Sequence, residues 1–172
     1  MSIAIGIEKI EYGDVGDGVP GATLAAITDP VAEGSVSFSF SEPTETNIMS
    51  ETSDIPVITI LTKEDPEYIE FALITPEAAT LAALAGGVAA GDKWSAPSSV
   101  PEINQTVKIT SKAKDSEQIE YTIVNAKIVS RFNQAPAKKA EEQLLVRCYI
   151  QEAKTDAGVV NTPFIREIVA AT

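Results

Sequence analysis

Along most of the chain apolar and polar side chains alternate with period two, the spacing of a strand that buries one face. Ile3, Ile5 and Ile7 share a face, whereas Ile10 and Tyr12 have the opposite parity, and a β-bulge at Glu8–Lys9 accounts for that one-residue shift. Between Gly13 and Gly21 the run GDVGDGVPG is too rich in glycine for regular structure. Ser35–Ser41 reads SVSFSFS and predicts a half-buried strand, with Val36, Phe38 and Phe40 on one face and Ser35, Ser37, Ser39 and Ser41 on the other. Glu42–Asp54 is acidic and hydroxyl-rich, interrupted only by Ile48–Met49, and reads as a long loop or a hairpin tip. Pro56–Thr62 and Tyr68–Ile74 are predicted strands, joined across Lys63–Glu67 by a proline-containing turn.

One segment breaks the alternation. Over about 75–85, Thr75 is placed to cap a helix, Pro76 suits its first position, and Gly86–Gly87 can end it. Leu81 and Leu84 lie among Ala78, Ala82 and Ala85, a face small enough to rest closely on a sheet. Beyond it Thr106–Thr110, Ile119–Val124, Ala126–Phe132 and Leu144–Ile150 are strand-like. A hairpin turn is expected at Asp115–Ser116, a polar loop at Gln134–Glu142 and a last strand within Pro163–Val169. About nine strands and one helix predict a mainly β protein, an antiparallel β-sandwich or barrel with one flanking helix. No internal repeat or linker divides the 172 residues, so residues 1–172 form a single expected domain with an extended loop at about 42–55.

Charge changes the picture more than composition does. The first 86 residues carry two bases, Lys9 and Lys63, against fifteen acids, a net −13; the other 86 carry eleven bases against ten acids, a net +1. An acidic half repels nucleic acid, because phosphate binding needs Lys and Arg to displace counterions. That charge serves either as a solvated surface or as a wall past which a polyanion moves without sticking.

Candidate chemistry is sparse. The chain contains no histidine, which removes the commonest general base and metal ligand, and its one cysteine, Cys148, reads as a small buried hydrophobe. Phosphate-loop and dinucleotide motifs are absent, and GDVGDG lacks the spaced oxygen ligands of a calcium loop. The carboxylate neighbours Glu64–Asp65 and Glu141–Glu142 do not converge unaided, and no nucleophile elbow surrounds the serines. Trp94, beside a glycine-rich turn, reads as a plug at the edge of the core or a subunit contact rather than a ligand-stacking ring. The first residues carry neither a basic nor an apolar signal region, and no apolar run reaches the length of a membrane span. No cofactor or metal is expected, and none of these residues points to an enzyme.

The run FALITPEAATLAALAGGVAAGDKWSAPSSVPEINQTVKIT, the strand pair IEYTIVNAKIVSRF and the strand LLVRCYI together resemble tail tube proteins of long-tailed bacteriophages. The likeness spans roughly Pro56 to Ala153, with Ile3–Ile10 and Ser35–Ser41 fitting the early strands. It implies a β-sandwich with a flanking helix, assembled into hexameric rings that stack into a tube in the virion tail, made in the host cytoplasm. The partners implied are further copies and other phage tail proteins, with DNA passing through the channel unbound and no membrane involved. The arm that reaches the next ring corresponds to the acidic segment, with Glu42, Thr44, Glu45, Asn47, Ile48, Met49, Glu51 and Asp54 as its candidate residues. The serine face of Ser35, Ser37, Ser39 and Ser41 is the candidate lumen wall. Alternative readings are a tail terminator, neck or head-decoration protein, a ligand-binding or adhesion β-sandwich, and a carboxylate-based enzyme.

Overall fold

A computed structural model describes residues 3–171. The chain enters through β1 (Ile5–Gly13), β2 (Ala25–Ala26) and β3 (Ser37–Ser39), then projects β4 (Thr44–Ser50) and β5 (Ser53–Thr62) before β6 (Tyr68–Ile74). Helix α1 (Ala78–Ala85) precedes the short β7 (Val88–Ala90) and β8 (Lys93–Ser95). The long strands β9 (Ile103–Lys112), β10 (Glu117–Gln134) and β11 (Gln143–Ile150) follow, then β12 (Ala153–Lys154), β13 (Val160–Asn161) and β14 (Phe164–Ala170). The protein is mainly β with a single flanking helix, and no sheet closes into a barrel.

An antiparallel eight-stranded sheet carries the core, in the order β2-β1-β9-β10-β11-β6-β3 with β14 also on β10. Ile10, Val107, Ile109, Ile123, Ile128, Val146, Cys148, Ile69, Phe71 and Leu73 pack on one side of it. The sheet curls over that side far enough for Phe38 of β3 to meet Tyr121 of β10, ring centroids 5.0 Å apart, and for Phe40 to meet Phe164 of β14 at 5.4 Å. Helix α1 covers the other part of the core through Leu81 and Leu84, and Ser130 donates to the Leu84 carbonyl at 2.7 Å.

Several predicted elements hold in detail. The shift at Glu8–Lys9 is present: Ile7 and Lys9 pair with the consecutive residues Ser111 and Thr110, leaving Glu8 extra. A second shift, between Ile5 and Ile7, falls at Gly6, whose φ of +67° suits glycine. Asp115 and Ser116 both take positive φ, as a two-residue primed hairpin turn demands, and join β9 to β10. Cys148 is fully buried in β11, and Trp94 plugs the core edge, its Nε1 donating to the Gly86 carbonyl at 2.8 Å and its ring meeting Phe132 edge-on.

Others are corrected. Thr75, at φ +43°, is not the helix cap; Glu77 stands at that position and makes no side-chain cap bond. The helix N-terminus is satisfied from a distance by buried Asp29, which accepts from the Glu77 amide at 2.9 Å and from the Thr80 hydroxyl. Ile119–Val124 and Ala126–Phe132 are one continuous strand, because β10 changes neighbours without leaving the sheet. The strand within Ser35–Ser41 shrinks to Ser37–Ser39, and Phe38 and Phe40 are 45% and 46% exposed rather than half of a closed core. A sheet edge with three paired residues and no neighbour beyond it cannot cover such rings. The strands predicted over Pro56–Thr62 and Tyr68–Ile74 are both present but belong to different sheets: β5 pairs with β4, whereas β6 lies between β11 and β3.

Replacing Asp29 with Ala leaves the Glu77 amide and Thr80 hydroxyl buried without their acceptor, so Asp29→Ala is expected to lower stability by about 1–3 kcal/mol. Asp29→Asn, which keeps one acceptor oxygen, is expected to lose less. Urea denaturation followed by far-UV circular dichroism measures both, and equal losses would contradict the capping role.

Candidate functional site

The acidic segment resolves into a structure that the loop reading missed and the hairpin-tip reading caught in part. β4 and β5 pair in register from Thr44↔Thr62 to Ile48↔Ile58, with the tip at Glu51–Thr52 and an irregular stretch between Ile48 and Ser50. Thr44, Glu45, Asn47, Ile48 and Met49 lie on β4, Glu51 in the tip and Asp54 on β5, whereas Glu42 precedes the hairpin; all of them are exposed. The Asn47 side-chain oxygen accepts from Thr59 across the pair at 2.7 Å.

Among the described residues nothing else pairs with this ribbon, and every residue of β5 is exposed. Ile55, Val57 and Leu61 of one parity are 74%, 64% and 60% exposed, and Ile58 and Ile60 of the other parity are about half exposed. A strand that is apolar on both faces reads like the middle of a buried sheet, yet here both faces meet water. A two-stranded ribbon is at best marginally stable alone. Covering its large side chains would recover on the order of 1 kcal/mol each. The exposed apolar residues that the sequence-based candidates left out are Ile55, Val57, Ile58, Ile60 and Leu61 of β5, and the signal that marks them is IPVITIL, apolar at both parities immediately after an acidic stretch.

The four serines do not form one free polar face. Ser35 Oγ donates to the Ala32 carbonyl at 2.7 Å and accepts from the Ala72 amide at 3.1 Å, fastening the 29–36 segment along β6. Ser41 Oγ donates to the Asp65 carbonyl at 3.3 Å. Ser37 and Ser39 pair with Glu70 and Tyr68, so by register they share the face of the sheet opposite the core with Arg147 and Tyr149.

That opposite face is charged but balanced. Lys9 pairs with Glu11 at 3.3 Å, Lys108 with Glu120 at 3.1 Å, Lys127 with Glu102 at 3.5 Å and Arg147 with Glu70. The Arg147 guanidinium also lies 5.0 Å from the centroid of Tyr68. Its hydrogen bond to Glu70 is the main cause that raises its pKa above the ordinary value. The hairpin is different: from Thr44 to Thr62 it carries Glu45, Glu51 and Asp54 and no base.

Among the described residues no cluster of three or more His, Cys, Asp and Glu could hold a metal ion, and no helix is long and apolar enough to cross a membrane. In the glycine-rich segment Asp17 accepts from the Asp156 amide at 2.6 Å, a tie between two loops. Glu141 accepts from Gln134 through its carbonyl and from Gln143 through its carboxylate, and the Glu142 carbonyl accepts from the Thr75 amide. Burial pushes the Cys148 thiol up to about 12.

Three outcomes follow. Replacing residues 44–62 by a short Gly-Ser linker is expected to leave the fold intact, with a thermal midpoint within a few degrees of the wild type. Removing only residues 44–52 strands β5 without its partner and is expected to promote aggregation, read by light scattering. Cys148 is expected to resist thiol reagents at pH 8 in the native protein and to react on unfolding. Its raised pKa gives a stability contribution that is complete below the ordinary thiol pKa and fades as pH rises through the folded value. Rapid labelling of folded protein would contradict this.

No protein-family model and no curated protein matches the chain.

Proposed function

We propose that this chain is a structural subunit that builds a polymer of its own copies, stacked rings forming the tail tube of a bacteriophage. One observation carries the self-association: a hairpin of nineteen residues, Thr44–Thr62, stands away from the core with apolar side chains on both faces. Surfaces of that kind mark contacts with other protein, and an acidic, apolar ribbon suits a neighbouring subunit better than a nucleic acid. The tail tube identity rests further on the resemblance of residues 56–153 and on the mainly β architecture with one flanking helix.

In this reading the hairpin is the stacking arm, and its partners are other copies and the tail proteins that start and end the tube. The charged face is the better candidate for a channel wall than the serines alone, because only Ser37 and Ser39 of the four lie free of backbone hydrogen bonds on it. Lys9, Lys108, Lys127 and Arg147 are each held by an acid, so over most of this face DNA meets paired charges rather than free Lys and Arg on which to settle. The chain acts in the virion as a conduit for genome ejection, without catalysis or cofactor.

Sedimentation and negative-stain electron microscopy across a wide concentration range test the reading. Tubes or stacked rings are expected. Single rings that never stack would favour the terminator or neck alternative, and monomers throughout, with and without a tail initiator complex, would overturn assembly. The variant Ile58→Glu/Ile60→Glu is expected to stay folded and to need at least ~10-fold more protein to assemble, equivalent to about 1.4 kcal/mol. Unimpaired tubes from it would remove the hairpin from the contact.

A further inference from the structure

Building on the proposed self-assembly, we propose where the hairpin goes: the outer end of one molecule's β4–β5 hairpin seats in an apolar cleft at the mouth of the curled sheet of a second copy. The cleft has a volume of about 690 Å³ and lies between the start of β1 and the 31–38 segment. Ala4, Ile7, Val31, Val36, Phe38 and Tyr121 line it, together with the charged Lys112 and Glu33. It exists because the sheet curls without closing.

Three features point to a strand-bearing partner of this chemistry. First, the cleft is bordered by an unpaired strand edge. β2 reaches only Glu11 and Tyr12 of β1, with Ile27 donating to the Ile10 carbonyl, so the side of Ile5–Lys9 turned away from β9 has no strand beside it among the described residues. Such an edge is a template for strand addition. Second, the hairpin end offers apolar side chains, Ile48, Met49 and Ile55, of a size a cleft of this volume accepts, and its own outer edges are unpaired. Third, the charges are complementary: Glu51 and Asp54 flank that end with no base between Thr44 and Thr62, while Lys112 lines the cleft and Lys114 begins the adjoining turn.

A second copy is the occupant that supplies both halves. Each molecule then carries one hairpin to give and one cleft to fill. The contact is head-to-tail, the class that propagates into rings or filaments instead of closing at a dimer. Among the described residues β4 and β5 pair with each other and with no other strand, so no strand pairing ties the hairpin to the cleft of its own molecule.

Paired cysteines test this directly. Ala4 and Met49 are both exposed, and the native Cys148 is fully buried, so Ala4→Cys and Met49→Cys leave the fold and introduce one accessible thiol each. The two variants are mixed at a concentration where the wild type assembles, oxidised, and run on non-reducing gels with mass-spectrometric identification of the linked peptides. A mixed 4–49 disulfide at least tenfold more abundant than the 4–4 and 49–49 species is expected. In parallel, Lys112→Glu is expected to raise the assembly concentration at least tenfold, and adding Glu51→Lys/Asp54→Lys to it is expected to recover most of that loss. Wild-type assembly with no excess of the mixed disulfide, or a charge reversal without effect, overturns the seat while leaving self-assembly standing. A chain carrying both cysteines that closes its 4–49 disulfide within a monomer also overturns it, assigning the cleft to the molecule's own hairpin. A wild type that is monomeric at every concentration overturns both proposals.

Discussion

β10 exchanges one neighbour for another at Val124–Asn125, and the whole sheet depends on how that exchange is satisfied. Its first half lies between β9 and β14, and its second half between β9 and β11. Between them the pairing with β9 slips, and buried peptide groups that leave the ladder must find other partners. The Val124 amide donates to the Pro163 carbonyl at 3.0 Å, just before β14, and the Asn125 carbonyl accepts from the Gln151 amide at 3.0 Å, just after β11. The Val124 carbonyl accepts from buried Thr106, whose oxygen also accepts from the Gly21 amide at 2.9 Å. One threonine thus closes the junction and fastens the glycine-rich segment to the sheet. With this slip, a single strand serves two regions whose directions diverge, and the sheet can curl around its core.

The curl is incomplete, and that incompleteness organises the surface. Phe38, Phe40, Tyr121 and Phe164 bring the two arms together through ring contacts rather than through hydrogen bonds. Such contacts hold shape but leave strand edges open, so β1 keeps an unpaired half beside a cleft. The hairpin of β4 and β5 has the complementary deficiency, with apolar faces and nothing to rest on. In a protein that stays solitary both features would favour aggregation. In the proposed polymer each satisfies the other.

Charge is distributed in the same spirit. On the sheet face opposite the core Lys9, Lys108, Lys127 and Arg147 are paired with carboxylates, which fixes side chains and weakens the field, and Arg131 joins them there by register without an ion pair among the described residues. Exposed pairs of this type add little stability individually. Their larger effect is to keep the face from presenting a basic patch. The acids concentrated in the first half of the chain are instead spread over the hairpin, the loops and the early strands, where they discourage indiscriminate association.

Much of this was legible in the amino acids alone, and the division has a physical cause. Period-two alternation identified the long strands, the bulge at Glu8–Lys9 followed from a change of parity, and Asp115–Ser116 marked a turn, because each is a property of a few adjacent residues. The helix was legible in the same way, but its cap was not: Asp29 lies 48 residues before Glu77, and no local rule connects them. Nor does alternation say which strands are neighbours. β5 and β6 are close in sequence yet belong to different sheets, and two apparent strands proved to be one because β14 and β11 take successive places on the same edge of β10. The serine face was read correctly as lying opposite the phenylalanines, but Ser35 and Ser41 were drawn into backbone hydrogen bonds that only the folded chain provides. For the hairpin, the sequence alone determined that β5 is apolar on both faces; the tertiary structure decided that β5 stays exposed among the described residues, because covering is a relation between distant surfaces and not a property of a strand.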